Sequence, residues 1–231
     1  MQKPEYRSAL IVGPGLSASL ARLFARHGLA VSLAARQTDK LADLVKETGA
    51  EAHACNAAEP AAVAGLFEKL DAAGRTPDVV VYNASNRVRG SLVDLAPDDV
   101  KRAMEISAFG GFLVSQQAAR RMLPKSHGAI FLTGATAGVK GFALSATFAM
   151  GKFALRGLAQ SMARELSPKG IHVAHFVIDG GIRSTTRPVP DNAPDSLLDP
   201  DAIAETYWAT LQQHRSAWSW EIEVRPWVEK F

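Results

Sequence analysis

Short apolar runs alternate along the chain with longer segments whose apolar positions recur every three or four residues. The runs fall at residues 9–12, 30–34, 79–81, 129–132 and 172–178, and residues 220–225 alternate apolar and polar like a last strand. Uninterrupted apolar runs suit strands covered on both faces, and the helical segments between them predict parallel strands joined by crossover helices. In the first such segment Leu16, Leu20, Leu23, Phe24 and His27 share a stripe, and Gly28 stops the helix. Asp39 is expected to cap the second helix, Pro60 fits the first turn of the third, and Asp98 opens a long fourth ending near Pro124. A fifth helix is predicted over residues 144–167, burying Leu155, Leu158, Met162 and Leu166, with Pro168 and Gly170 ending it. Asp199 and Pro200 start a last helix reaching about His214. Residues 183–200 include Pro188, Pro190, Pro194 and Pro200 in a polar stretch long for a simple connection, which reads as a substrate lid or as a disordered excursion.

The junction between the first run and the first helix reads Gly13-Pro14-Gly15-Leu16-Ser17. Glycines there let backbone approach a pyrophosphate closely, and the helix N-terminus offers unpaired N–H groups; the alternative is a plain turn. The second run ends in Arg36 rather than the acidic residue that would bond a ribose diol, so a 2′-phosphate and NADP(H) are favoured over NAD(H), unless Arg36 is simply solvated. Composition adds little to this: 47% hydrophobic and 21% charged residues are ordinary for a globular chain, and the net charge of +3 is scattered, against a nucleic-acid partner. Cys55 is the only cysteine, so no intrachain disulfide forms, a reducing cytoplasmic setting fits, and the residue reads as a small buried hydrophobe. No apolar stretch is long enough to span a membrane, and the start, Met-Gln-Lys-Pro-Glu-Tyr-Arg, has no signal-peptide core. His172 and His175 have opposite parity in their run, so they are read as packing residues, and no metal site is expected.

The order of these motifs resembles the short-chain dehydrogenase/reductase family over residues 8–225. Tyr82-Asn83-Ala84-Ser85 is similar to the family's Asn-Asn-Ala-Gly, Asn56 stands where an acidic residue usually contacts adenine, and Ile178-Asp179-Gly180-Gly181-Ile182 replaces a Pro-Gly-x-Ile segment. The resemblance implies one doubly wound α/β domain of Rossmann type over residues 1–231, with a mostly parallel seven-stranded sheet and helices on both faces. It also implies a nicotinamide dinucleotide held by Gly13, Gly15, Leu16, Ser17, Arg36, Asn56, Asn83, Ala84, Ser85, Lys152, Gly180 and Ile182, a small-molecule substrate, and a homodimer or homotetramer. Association would run through the fourth and fifth helices, with residues 108–111 and Trp218, Trp220 and Trp227 as contact candidates.

The family's catalytic set is altered. Its Tyr-x-x-x-Lys is matched by Phe148-Ala-Met-Gly-Lys152, its serine by Ala135 with Thr136 beside it, and its asparagine by Ser107. A phenyl ring has no proton to give, so acid/base chemistry cannot run through residue 148. Lys152 is expected to reach the nicotinamide ribose, its alternative being a surface lysine. Thr136, Ser107, Ser145, Tyr82 and Asp179 are the other proton-donor candidates. Two functions follow: an NADP(H)-dependent oxidoreductase with a non-standard donor acting on a small carbonyl, imine or activated alkene, or a catalytically silent nucleotide-binding or sensory protein.

Overall fold

The computed structural model describes residues 5–229, so the ends of the expected 1–231 domain, including the first four residues of the N-terminal stretch, lie outside the described residues. The strands are β1 (Ser8–Val12), β2 (Ala30–Ala35), β3 (Glu51–Ala54), β4 (Val79–Tyr82), β5 (Gly128–Thr133), β6 (Ile171–Ile178) and β7 (Glu221–Val224). They form one sheet ordered β3-β2-β1-β4-β5-β6-β7, in which each neighbouring pair is parallel. The expected mostly parallel sheet is thus parallel throughout. The order in which successive strands are added reverses between β1 and β4, the switch point at which such sheets open a crevice beyond their carboxyl ends.

The helices are α1 (Ser17–Arg26), α2 (Ala42–Thr48), α3 (Pro60–Ala72), α4 (Pro97–Met104), α5 (Gly110–Met122), α6 (Ala146–Leu166) and α7 (Pro200–Leu211). Strand parity divides the core in two. Ala9, Ile11, Val79, Val81, Ala129 and Phe131 pack with α1 and α7, whereas Leu10, Val12, Val80, Tyr82, Ile130 and Leu132 pack with α3, α5 and α6. This two-sided cover is why the strands read as continuous apolar runs. β3 has no such run: at the sheet edge, Glu51 and Ala54 are exposed and Ala52 and His53 half-buried.

Several local expectations change. His27 is exposed and stacks on Trp208, with ring centroids 3.9 Å apart, instead of entering the core stripe. Asp39 starts a short 3-10 turn (Asp39–Leu41), and α2 begins after it without a side-chain cap. On α6, Ala159 and Ala163 join Leu155 and Leu166 in the core while Leu158 and Met162 are only half-buried, because small residues let the helix lie close to the sheet. The long fourth helix holds a π-turn, Glu105–Phe109, between α4 and α5. Gly110 and Gly111 follow it; a Cβ on Gly111 would lie 2.6 Å from Leu155 Cδ1, and one on Gly110 would strike the Tyr82 hydroxyl. Gly110 and Gly111 thus serve packing within the chain, and Phe109 and Phe112 are exposed beside them. Pro60 and Pro200 open α3 and α7 as expected, and the Asp199 carboxylate accepts the Asp201 N–H.

Candidate functional site

With every strand parallel, the segments following β1, β2, β3, β4, β5 and β6 leave the sheet at one edge. This gathers Gly13–Ser17, Arg36, Asn56, Asn83–Ser85, Thr136 and Gly180–Ile182 around the crevice. The two glycines after β1 do different things. Gly13 (φ +112°) donates its N–H to the Ala34 carbonyl at 3.0 Å, and a Cβ there would lie 2.5 Å from Ala84 N, so glycine is required by the close pass of the post-β4 backbone. Gly15 (φ +74°) has nothing within 4 Å of a Cβ position, which leaves bare backbone open beside the start of α1. Asn83 Nδ2 donates to the Pro14 carbonyl at 2.5 Å and to Ser17 Oγ at 3.1 Å. Asn83 thus holds the glycine turn in shape. Leu16 is buried where α1 begins, and Ser17 is buried in its first turn, which has no acidic residue to compete with an anion. Arg36 is exposed with no partner among the described residues, and Asn56 Oδ1 accepts the Ala58 N–H at 3.3 Å in a local turn.

Beyond the turn lies a cavity of about 690 Å³, lined by segments following β4, β5 and β6 and by the N-terminal half of α6. Asn83 and Ser85 line it, with Ala84 half-buried between them. Lys152 at its base is only 3% exposed; its ammonium donates to the Thr133 carbonyl at 2.6 Å and sits 5.8 Å from the Phe148 ring centroid. The surface-lysine alternative is therefore wrong, and burial lowers its pKa to about 8. Thr133 is itself fixed from the other side of the sheet, its hydroxyl 2.8 Å from the Tyr207 hydroxyl. Ala135, Thr136, Ser145 and Phe148 also line the cavity, and no hydrogen bond occupies the Thr136 or Ser145 hydroxyl among the described residues.

Three of the proton-donor candidates are engaged elsewhere. The Ser107 hydroxyl, fully buried in the π-turn, accepts the Asn86 N–H at 3.0 Å and donates to the Asn86 carbonyl at 3.4 Å. Gly151 lets α6 approach that turn, since a Cβ there would lie 2.7 Å from Ser107 Cβ. Asp179 lies 3.4 Å from the Arg225 guanidinium and binds β7 through its N–H to the Val224 carbonyl, outside the cavity lining. The Tyr82 hydroxyl donates to the Ile106 carbonyl beneath α5, and burial raises its pKa. His172 and His175 are wholly buried, the first bonded to the Ser219 carbonyl at 2.9 Å and the second to Glu221 at 3.1 Å. Among the described residues no group of three or more His, Cys, Asp or Glu side chains is placed to hold a metal, and no helix is long and apolar enough to cross a membrane.

Sequence reasoning missed Arg87, Arg89 and Arg187, all of which line the cavity. The signal available was Arg87-Val88-Arg89 just after the Asn83-Ala84-Ser85 motif, since residues two apart in an extended segment face the same way. Arg187 carried no local signal; Gly181 makes room for its side chain, with a Cβ there lying 3.1 Å from Arg187 Nη1.

Comparison with known proteins agrees with this geometry. A family model described as enoyl-(acyl carrier protein) reductase matches residues 12–196. The cyclic-di-GMP-binding biofilm dispersal mediator protein of Escherichia coli K12 is 32% identical over 201 residues, covering 85% of this chain and 82% of that protein. The short chain aldehyde dehydrogenase 1 of Euphorbia lathyris is 29% identical over 178 residues, 73% of this chain, and this chain spans only 62% of its length. Among solved structures, a short-chain dehydrogenase from Rhodopseudomonas palustris is 33% identical, with TM-score 0.82 and coverage of 96% of this chain and 99% of that one. A metagenomic short-chain oxidoreductase in complex with NADP is 26% identical, with TM-score 0.81 over 95% of this chain and 97% of that one. The sheet order, the crevice at its switch point and these matches together place the chain in the short-chain dehydrogenase/reductase family.

Proposed function

We propose that the chain is an NADP(H)-dependent oxidoreductase that acts on a small carbonyl, imine or activated alkene and takes its proton from a group other than the family's usual tyrosine. The observation that carries this reading is Lys152, held at 3% exposure at the base of the cavity. Burying an ammonium is costly, and a scaffold with no use for the charge would be more stable with an apolar residue there. The bare backbone at Gly15 and the exposed Arg36, unpartnered among the described residues, suit a pyrophosphate and a 2′-phosphate, and the solved relative with bound NADP supports the same cofactor. The reduced dinucleotide, when bound, supplies a hydride. Lys152, Gly180 and Ile182 then hold its nicotinamide half, Asn56 the adenine end, and NAD(H) is the weaker ligand.

Phe148 has no proton to give, and Ser107 and Asp179 are engaged, so Lys152 is the proposed donor, with Thr136 and Ser145 as hydroxyls that orient substrate. An ammonium with a pKa near 8 is charged at neutral pH and still able to give up its proton. Residues 183–200 act as a lid: the loop is tied at its ends by Leu198 N–H to Gly181 carbonyl at 2.8 Å and by Arg183 to Asp199 at 2.5 Å. The exposed Phe109, Phe112, Met150 and Phe153 supply apolar surface for a homodimer or homotetramer. The test is a titration with NADPH and NADH followed by a carbonyl, imine and enone panel. Turnover with at least one member and preference for NADPH are expected; failure to bind either cofactor overturns the reading.

The second reading, a silent ligand-binding protein, is favoured by the loss at Ala135 and Phe148 and by a relative named for binding cyclic-di-GMP. The double variant Ala135→Ser/Phe148→Tyr separates the two. Under the first reading the wild type already turns over the panel; under the second only the double variant does.

A further inference from the structure

The cavity beyond the glycine turn has a charge that the hydride-transfer reading does not require. Arg87, Arg89, Arg187 and Lys152 all line it, and no Asp or Glu does. Among the described residues the three arginines have no carboxylate partner, although arginines such as Arg22, Arg121, Arg156 and Arg183 are paired. A cleft lined by one sign of charge concentrates ligands of the other sign. All three arginines are exposed, so their guanidinium groups are available to a ligand that enters the cavity.

The segment bearing Arg87 and Arg89 is built to present them. Its backbone is held at alternate residues: Asn86 N–H by Ser107 Oγ at 3.0 Å, Val88 carbonyl by Thr147 Oγ1 at 2.6 Å, and Gly90 N–H by the Leu144 carbonyl at 3.2 Å. Ser107 and Thr147 are both fully buried, so two core polar side chains are committed to this one loop. The residues between the anchors are the two arginines. The Arg87 guanidinium lies 5.3 Å from the centroid of the Phe148 ring, which also lies 5.8 Å from Lys152 Nζ. The aromatic ring that replaces the family's tyrosine thus lies within cation–π reach of two cations. Arg187 meets the same cavity from the loop following β6.

We infer that this cavity takes a substrate carrying a carboxylate or phosphate group, gripped by Arg87 and Arg89 with Arg187 closing on it from the lid loop. Guanidinium groups match the planar or tetrahedral oxygens of both anions through paired hydrogen bonds. Of the substrate types in the proposed function, the same charge selects a carbonyl compound with an anionic group and rejects a cationic iminium, which would face four like charges. Ser107 then acts as a positioning residue for the arginine loop rather than as a substitute for the family's asparagine. This inference rests on reading the cavity as the substrate site of an NADP(H)-dependent oxidoreductase.

The experiment is calorimetric titration of the full chain, cofactor-free and NADPH-saturated, with two matched pairs of probes. Benzoylformate against its neutral methyl ester tests a carboxylate; dihydroxyacetone phosphate against dihydroxyacetone tests a phosphate. At least one anion is expected to bind about tenfold or more tightly than its neutral partner. The preferred pair identifies the anion. The preference should vanish in Arg87→Gln/Arg89→Gln while NADPH affinity, read by cofactor fluorescence, stays within about twofold. Equal affinity within both pairs, or a preference that survives the double substitution, overturns the inference. Loss of NADPH binding with the anion preference intact in the cofactor-free protein overturns the proposed function instead.

Discussion

Lys152 illustrates how a single side chain is set by what surrounds it. It lies almost wholly buried on α6, its ammonium has the Thr133 carbonyl as partner, and burial brings its pKa from 10.5 to about 8. The charged form therefore exists below about pH 8 and is lost as pH rises through that value. If the ammonium holds the cofactor ribose, NADPH affinity measured by fluorescence falls about tenfold between pH 7 and pH 9.5, the loss of one charged hydrogen bond. Lys152→Met should show the weaker affinity across the whole range. A wild-type affinity that is flat with pH would remove Lys152 from the cofactor site.

At the scale of elements, the turn from β1 into α1 and the π-turn between α4 and α5 are shaped by contacts far away in sequence. Gly13 and Gly15 both have positive φ, yet only Gly13 is hemmed in by backbone. Gly13→Ala should lower unfolding free energy by about 3 kcal/mol or more in urea titration, since neither the turn nor the Ala84 backbone can give way. Gly15→Ala should cost about 1 kcal/mol for the left-handed backbone alone. It should nevertheless weaken NADPH binding, because a methyl group fills the open approach to the turn. Ser107→Ala leaves the half-buried Asn86 N–H without its acceptor, and about 1 kcal/mol of stability should be lost in the same assay. The alternating arginine loop links this cost to recognition: in Ser107→Ala any anion preference should weaken together with stability.

Across the whole molecule, two histidines in the sheet set the response to acid. His172 and His175 are wholly buried, and loss of hydration lowers the pKa of each to about 4, against 6.5 when exposed. Below pH 6.5 the unfolded chain takes up protons that the folded chain refuses until about pH 4, so stability falls as pH falls through that window. The loss between pH 7 and pH 5 should be about 2 kcal/mol per histidine in urea unfolding. His172→Gln should remove roughly half of it. Glu221, held in its charged form chiefly by Arg156 and also by His175, adds a further loss only once pH drops below the ordinary carboxylate range. The apolar surface formed by Phe109, Phe112, Met150 and Phe153 belongs to this scale as well; light scattering should give two or four copies, and Phe112→Glu/Phe153→Glu should shift it to one.

Much of the fold was legible in the sequence because its signals are local. Apolar runs mark strands covered on both faces, Pro60, Asp199 and Gly28 mark helix ends, and the glycines at 13 and 15 mark the turn on which an α/β crevice depends. β3 was implied by the seven-stranded count but not placed, because an edge strand with Glu51 and His53 has no apolar run to show. The missing acid at residue 148 could also be seen without coordinates, since it is a matter of chemical groups. What the side chains do with one another could not. That Ser107 turns to Asn86, that Asp179 pairs with Arg225, that Lys152 is buried, and that Arg87, Arg89 and Arg187 meet in one cavity all depend on a strand order that brings residues a hundred positions apart to the same edge of the sheet. Local sequence thus determined the elements and the loss of the usual proton donor, whereas the charge of the cavity was decided by tertiary structure, because charges converge only where the parallel sheet brings their loops together.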